Sequence, residues 1–211
     1  MSHKFFDLTF TPSVKRTQEH FGTRRNYERF ESGESDYHGL TEAETDYIAT
    51  RDGFYLATVG ENGQPYVQFR GGPAGFLKVL DSTTLGYADF GGNLQYISTG
   101  NLAANDRAAL ILMDYANQRR LKILARVTIT DAKDAPEMIA KLKMPEYKAK
   151  LERAVILHVE AFDWNCPRHI TPRYTVEEMR EIDRPLYEHI EKLETEIEQL
   201  KKTLSHLTEA I

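Results

Sequence analysis

The stretch 164–173 reads Trp-Asn-Cys-Pro-Arg-His-Ile-Thr-Pro-Arg and gathers the chain's only Trp, its only Cys, two Pro, two Arg and one His. Each proline lacks a backbone donor, which excludes an ordinary helix or a central strand across it. Its polar groups are then available to a ligand, unless the segment is a braced corner whose Trp164 fills core. Cys166 and His169 suggest a nucleophile and its base. A thiol three residues from an imidazole carries no geometry, however, and the chain has neither a Gly-X-Ser-X-Gly elbow nor a cysteine-protease context. Trp164, Arg168 and His169 are better read as ligand-contacting groups.

Three further constellations suit anions. In Tyr66-Val67-Gln68-Phe69-Arg70-Gly71-Gly72, Gln68 and Arg70 share one face of a strand, because side chains two apart point the same way. Gly71 then allows a ligand or another backbone to come close. Arg70 suits a phosphate or carboxylate through bidentate bonds, or a salt bridge at the rim. The run 89–101 carries Asn93, Ser98, Thr99 and Asn101 ahead of a short helix. Backbone N–H groups at a helix start form an anion cradle, although the run matches neither the P-loop nor the dinucleotide fingerprint. Arg119 and Arg120 open a long strand. Neighbouring side chains face opposite ways, so at most one is expected in a given pocket, and register decides which. Carboxylates fall mainly on helical faces and turns, which leaves the catalytic residues open.

These groups need elements to hold them. Residues 11–39 are polar and weakly periodic and read as an irregular arm. Thr41-Glu42-Ala43-Glu44 has the capping-box pattern, predicting a short helix over 42–50. Runs rich in β-branched and aromatic residues predict strands over 54–59, 65–70, 76–80, 84–89, 108–115, 120–130 and 154–164, the first two joined at Asn62-Gly63. Helical turns are expected over 101–105, and one or two helices over 135–153 broken at Pro145. A second capping box, Thr175 to Glu178, starts a helix that Pro185 should kink or restart. From Leu186 apolar residues recur as a heptad seam, with Ile190, Ile197, Leu204 and Ile211 at a and Leu193, Leu200 and Leu207 at d. That choice suits two parallel strands, although packing on its own barrel is the alternative.

Composition narrows the function classes. The 211 residues are 41% hydrophobic and 28% charged, as in globular proteins, with a net charge of −5. That charge argues against nonspecific nucleic-acid binding. No apolar run approaches the roughly 20 residues that span a bilayer. The first 17 residues lack the apolar core and cleavage site of a signal peptide, so a cytoplasmic protein is expected. One Cys makes no internal disulfide, and with scattered His it gives no zinc spacing, so no metal is expected.

Gly92-Asn93 leading into Gly100-Asn101-Leu102-Ala103-Ala104-Asn105-Asp106-Arg107, then Arg120-Leu121-Lys122-Ile123-Leu124-Ala125-Arg126-Val127, resembles the pyridoxamine 5'-phosphate oxidase-related family, the FMN-binding split β-barrels. The likeness covers roughly 42–173, and the 165–173 stretch is similar to a signature of one branch. It implies an α+β fold: a six-stranded antiparallel split barrel at 41–173, an arm at 1–40 and a coiled-coil-like helix at 174–211. It also implies a homodimer with FMN at the subunit interface. Gln68 and Arg70 would lie on the first flavin-contacting strand, Ser98 at a phosphate position, Arg120 near the flavin ring, and Trp164 and Arg168 in the segment that closes over it. Gly71, Asn93, Thr99, Asn101, Arg119 and His169 complete the expected flavin contacts. The chain departs from true oxidases in having Gly71-Gly72-Pro73 where those carry a hydrophobic run ending in Lys, and in lacking a Ser-Arg-Lys element. The expected activity is therefore FMN-dependent oxidoreduction of another small molecule. A noncatalytic flavin-binding or sensing dimer is the alternative, as is the same barrel holding haem or a deazaflavin.

Overall fold

The computed structural model describes residues 3–28, 30–31, 38–144, 146–164 and 166–209. Pro145, Asn165 and Ile211, on which expectations fell, lie outside them. The β-rich runs form β1 (Gly53–Val59), β2 (Pro65–Gly71), β3 (Lys78–Asp81), β4 (Thr84–Phe90), β5 (Arg107–Asp114), β6 (Arg119–Asp131) and β7 (Leu151–Trp164). All pair antiparallel in one sheet of seven strands, ordered β2-β1-β5-β6-β7-β4-β3. The count of six was one short, and the segment-by-segment pattern counted correctly.

Period-two alternation sets the core. Along β6, Leu121, Ile123, Ala125 and Val127 are buried, and from β1 and β5 Phe54, Leu56, Leu110 and Leu112 meet them. Phe54 stacks on Phe76 at 5.7 Å and meets Tyr87 of β4 edge-on at 5.5 Å. Each such side chain contributes roughly 1.5–3 kcal/mol by burial, so Leu112→Ala should cost about 2–5 kcal/mol. Arg70, on the first strand of the order, is ion-paired at 2.7 Å with Asp89, on the sixth. Strands so far apart in the order can meet only if the sheet curls round on itself, which is the split barrel.

Its outer face is unevenly covered. Contrary to the irregular arm expected, the N-terminal region folds as α1 (His3–Thr9), α2 (Pro12–His20) and α3 (Arg24–Glu28). Thr11 caps α2, Pro12 sits in its first turn, and Glu31 gathers Lys15 at 2.8 Å and Arg24 at 2.6 Å. Phe5 and Phe6 cluster with Phe10 and Phe30 and seat α1 on Ala161 and Leu124. An aromatic cluster rather than an apolar stripe seats α1, and α2 and α3 bury no residue, so their periodicity was faint. Over β1 and β2 the face is bare: Val67 is 60% and Phe69 58% exposed. Tyr55 lies across from Phe69, with ring centroids at 5.4 Å.

The two capping boxes form. Thr41 and Glu44 start α4 (Glu42–Ala49). Thr175 and Glu178 start α7 (Val176–Glu209), which runs on through Pro185 instead of restarting there. The helix is exposed, so water can serve the carbonyl that the proline leaves unpaired. Between the barrel strands, α5 spans Ile97–Ala104, and α6 (Pro136–Leu142) ends well before the expected 153. Residues 171–211 form a compact unit of their own. Among the described residues no helix is long and apolar enough to cross a membrane, and no group of three or more His, Cys, Asp or Glu could hold a metal ion.

Candidate functional site

Alternation along β2 turns Gln68 and Arg70 to one face while Val67 and Phe69 take the other. On β4 the inward series Leu85, Tyr87 continues to Asp89, a carboxylate that is only 3% exposed. A charge so deep requires a partner. The β4–β7 register sets Arg153 opposite Asp89, and Arg153 donates through Nε and Nη2 to Oδ2 at 2.9 and 2.7 Å. Arg70 Nη1 donates to the other oxygen, Oδ1, at 2.7 Å. Burial works against the Arg153 cation, but the hydrogen bond and charge of Asp89, together with the charge of Glu152, outweigh it and its pKa is raised.

Both guanidiniums line a cavity of about 220 Å³, together with Tyr66, Gln68, Phe90, Asn93, Tyr96 and Thr99. Glu152 also stands 2.9 Å from Arg153, so the cluster is close to neutral as a whole. Its carboxylates are nevertheless absent from the lining, and the arginines are the charged groups that a molecule in the cavity meets. Arg70 Nε is buried without a hydrogen-bond partner. The first turn of α5 contributes Ile97 and Thr99 to the wall. No side chain caps α5, whose N-cap Tyr96 takes a left-handed backbone at φ 51°. Its first amide groups therefore remain available, in the geometry that suits an anion. Arg153 lies over the Tyr96 ring at 4.9 Å.

Several expected contacts behave otherwise. Ser98 is buried and donates to Gln68 Oε1 at 2.9 Å, so it orients Gln68 and does not line the cavity. Asn101 turns to β1, donating to Thr58 Oγ1 at 3.1 Å. Both lie inside α5, which begins four residues earlier than the helical turns expected over 101–105. Gly71 makes room for an aromatic ring rather than a ligand: a Cβ there would sit 2.8 Å from Phe69 Cε1. Arg168 and His169 are exposed and line neither this cavity nor the next. His169 adopts φ 67°, and the neighbouring Ile170 is buried, its carbonyl accepting from Gln118 Nε2 at 2.6 Å.

Arg119, Arg120 and Trp164 line a second cavity of about 420 Å³ that shares no residue with the first. Both arginines reach it, contrary to the one-per-face expectation. Arg119 is the first residue of β6, after a left-handed Gln118 at φ 53°, so strand alternation does not yet constrain its direction. Its guanidinium lies 4.6 Å over Trp164 and 5.3 Å over Tyr47. The Tyr47 hydroxyl donates to the Leu112 carbonyl at 3.1 Å, and burial pushes its pKa up to about 12. Burial opposes the Glu44 charge too, but hydrogen bonds from Thr41 and Trp164 overcome it and hold that carboxyl below its ordinary range.

Arg153, Asp89, Tyr96 and Glu44 were missed in the sequence. Val155, Leu157, Val159 and Ala161 alternate inward, and extending that phase back by one step reaches Arg153. Asp89 was visible as a charge on the inward phase of an apolar strand.

A curled antiparallel sheet with a cation-lined cleft beside an uncapped helix start defines a split β-barrel domain. The profile of the pyridoxamine 5'-phosphate oxidase family matches residues 40–170, and the chain belongs to that family. Among curated proteins none matches. Similar solved structures include a candidate pyridoxamine 5'-phosphate oxidase from Lactobacillus delbrueckii, at 23% identity over 61% of this chain and 96% of that one, with a TM-score of 0.46. An FMN-binding protein from Syntrophomonas wolfei is 14% identical over 73% and 95% of the two chains, with a TM-score of 0.44. HupZ from Group A Streptococcus is 16% identical over 64% and 99%, with a TM-score of 0.46.

Proposed function

We propose that the protein is a cytoplasmic, homodimeric FMN-dependent oxidoreductase acting on a small molecule, with 41–173 as its flavin domain. The observation that carries this is the pair of guanidiniums of Arg70 and Arg153, converging on the first cavity beside the open amides of α5. The family match is consistent with it, since members bind FMN and include oxidoreductases. The buried, unpartnered Nε of Arg70 and the carboxylate-free lining fit a phosphate. Arg70, Arg153 and Thr99 would hold it, and Tyr96 and Phe90 would flank the remainder of the cofactor.

At about 220 Å³ the cavity is smaller than the roughly 300–1,000 Å³ that enclose a drug-sized ligand. One chain therefore supplies part of the site. A second copy would complete it with Arg119, Arg120 and Trp164, which line a separate cavity in the single chain. The exposed apolar residues Phe69, Val67 and Tyr55 lie together on one face, as at an interface, and proteins of this fold commonly form dimers. When bound, FMN supplies the hydride or electron-pair chemistry. The protein's share is to bind the phosphate, orient the ring and exclude water. No His, Asp or Glu lines the first cavity, so none there moves a proton. Gly71 and Gly72 stand close to Phe69 and Phe76, and the Gly71-Gly72-Pro73 run offers no cation for a pyridoxamine phosphate, which favours another small molecule as substrate.

Purified protein should carry a visible flavin spectrum, released on denaturation, or acquire one on reconstitution with FMN. A colourless protein that cannot be reconstituted would overturn the proposal. Bound flavin that NAD(P)H does not reduce in steady-state assays would favour a noncatalytic flavin-sensing dimer instead.

A further inference from the structure

We propose that α7 pairs with α7 of a second copy of this chain in a parallel, in-register, two-stranded coil, independently of flavin binding. The helix carries one continuous apolar stripe. Ile190 and Leu193 are 40% and 43% exposed, Ile197 49% and Leu200 69%, and all four follow the alternating spacing of three and four. A seam with β-branched residues at a and Leu at d is the combination that suits two parallel strands. At about 1.5 Å per residue a 34-residue helix is roughly 50 Å long. That length accommodates several consecutive core layers.

Charge selects the occupant. From Val176 to Glu209 the helix has ten Asp and Glu against five Lys and Arg. An acidic helix is repelled by nucleic acid and by anionic lipid, both of which recruit basic faces. At the positions that flank the seam it can pair with a second copy of itself. Position g of one heptad faces position e of the next in a parallel pair, which sets Glu196 against Lys201 of the second copy and His189 against Glu194. An antiparallel pair sets g against g, and Ile182, His189, Glu196 and Thr203 at those positions offer Glu196 neither Lys nor Arg.

Disulfide trapping in the full-length chain tests this. In a background where the exposed Cys166 is replaced by Ser, Ile197→Cys at a should cross-link under mild oxidation. Glu198→Cys, on the outer side at b, should cross-link on the order of tenfold more slowly, because its Cβ atoms lie beyond disulfide reach. Adding Glu196→Lys to Ile197→Cys should lower the yield, and adding Lys201→Glu as well should restore it. Equal cross-linking at 197 and 198, none at either, or no restoration by the double exchange overturns the parallel coil. Flavin content is read in the same samples: its absence with cross-linking at 197 intact counts against the flavin proposal alone.

Discussion

The indole Nε1–H of Trp164 donates to Glu44 Oε1 at 2.6 Å, across 120 residues of sequence. The other carboxylate oxygen of Glu44 accepts from the backbone N–H and the hydroxyl of Thr41. One side chain thus caps α4 and fixes the end of the last barrel strand. Arg119 then stacks on a ring that is already held.

Glu44→Ala should leave the Trp164 N–H without its acceptor and strip the cap from α4. The expected loss is about 1–3 kcal/mol, read by urea unfolding of the full chain. A loss no larger than that of a surface control such as Glu42→Ala would show that the link is inconsequential.

The same carboxylate sets a pH response. Glu44 is held below its ordinary range, so its contribution is complete above the unfolded-state value of about 4.3 and is lost as pH falls through the lowered folded value. Trp164 is the only Trp, and its fluorescence reports the change directly. An emission transition centred at or above the ordinary glutamate value would contradict this assignment.

Asp89 holds two guanidiniums while itself buried. Asp89→Asn keeps the shape, removes the charge and should cost about 3–5 kcal/mol, as breaking a buried pair does. Equilibrium denaturation against wild type measures it. A cost below that of Asp106→Asn, whose carboxylate is half exposed beside Arg126, would place the barrel's closure elsewhere.

Arg70→Gln and Arg153→Gln should each weaken FMN binding by roughly 10- to 100-fold, the worth of a charge-assisted hydrogen bond. Arg168→Gln should leave binding unchanged, since that side chain lies outside both cavities. Titration by flavin fluorescence quenching ranks the three. Arg168 as the strongest effect would return the cofactor to the 164–173 segment.

Phe69→Lys adds charge to the bare apolar face, where the side chain is 58% exposed, and should convert dimer to monomer in sedimentation while leaving the barrel folded. The measurement is made with Ile197→Lys in the same chain, so that the coil cannot hold the subunits together. An unchanged mass would exclude this face as the interface.

Legibility in the sequence followed the reach of each signal. Capping boxes and strands are local patterns, and Thr41, Glu44, Thr175 and Glu178 act as their spacing foretold. The alternation that turns Gln68 and Arg70 to one face was equally readable. Long-range pairing was not. Arg153 meets Asp89 only through the β4–β7 register, and expecting helix up to 153 removed it from view. Ser98 was placed ahead of the helix and Asn101 at its start because the first turn of α5 has no capping residue to announce it. The 164–173 segment drew attention through rare residue types, yet of these Trp164 and Pro167 reach a cavity while Arg168 and His169 remain outside.

Arg70 and Arg153 come from strands that are first and fifth in the sheet order, and Asp89 from the sixth. An anion held by both arginines would therefore act as a clasp across the seam of the barrel. Its binding energy adds to the resistance of the seam to opening, and by mass action that gain grows with the logarithm of free ligand concentration. Chains with and without such an anion should differ most in hydrogen exchange along β2 and β7, and ligand supply would then tune how long each molecule survives unfolding and proteolysis.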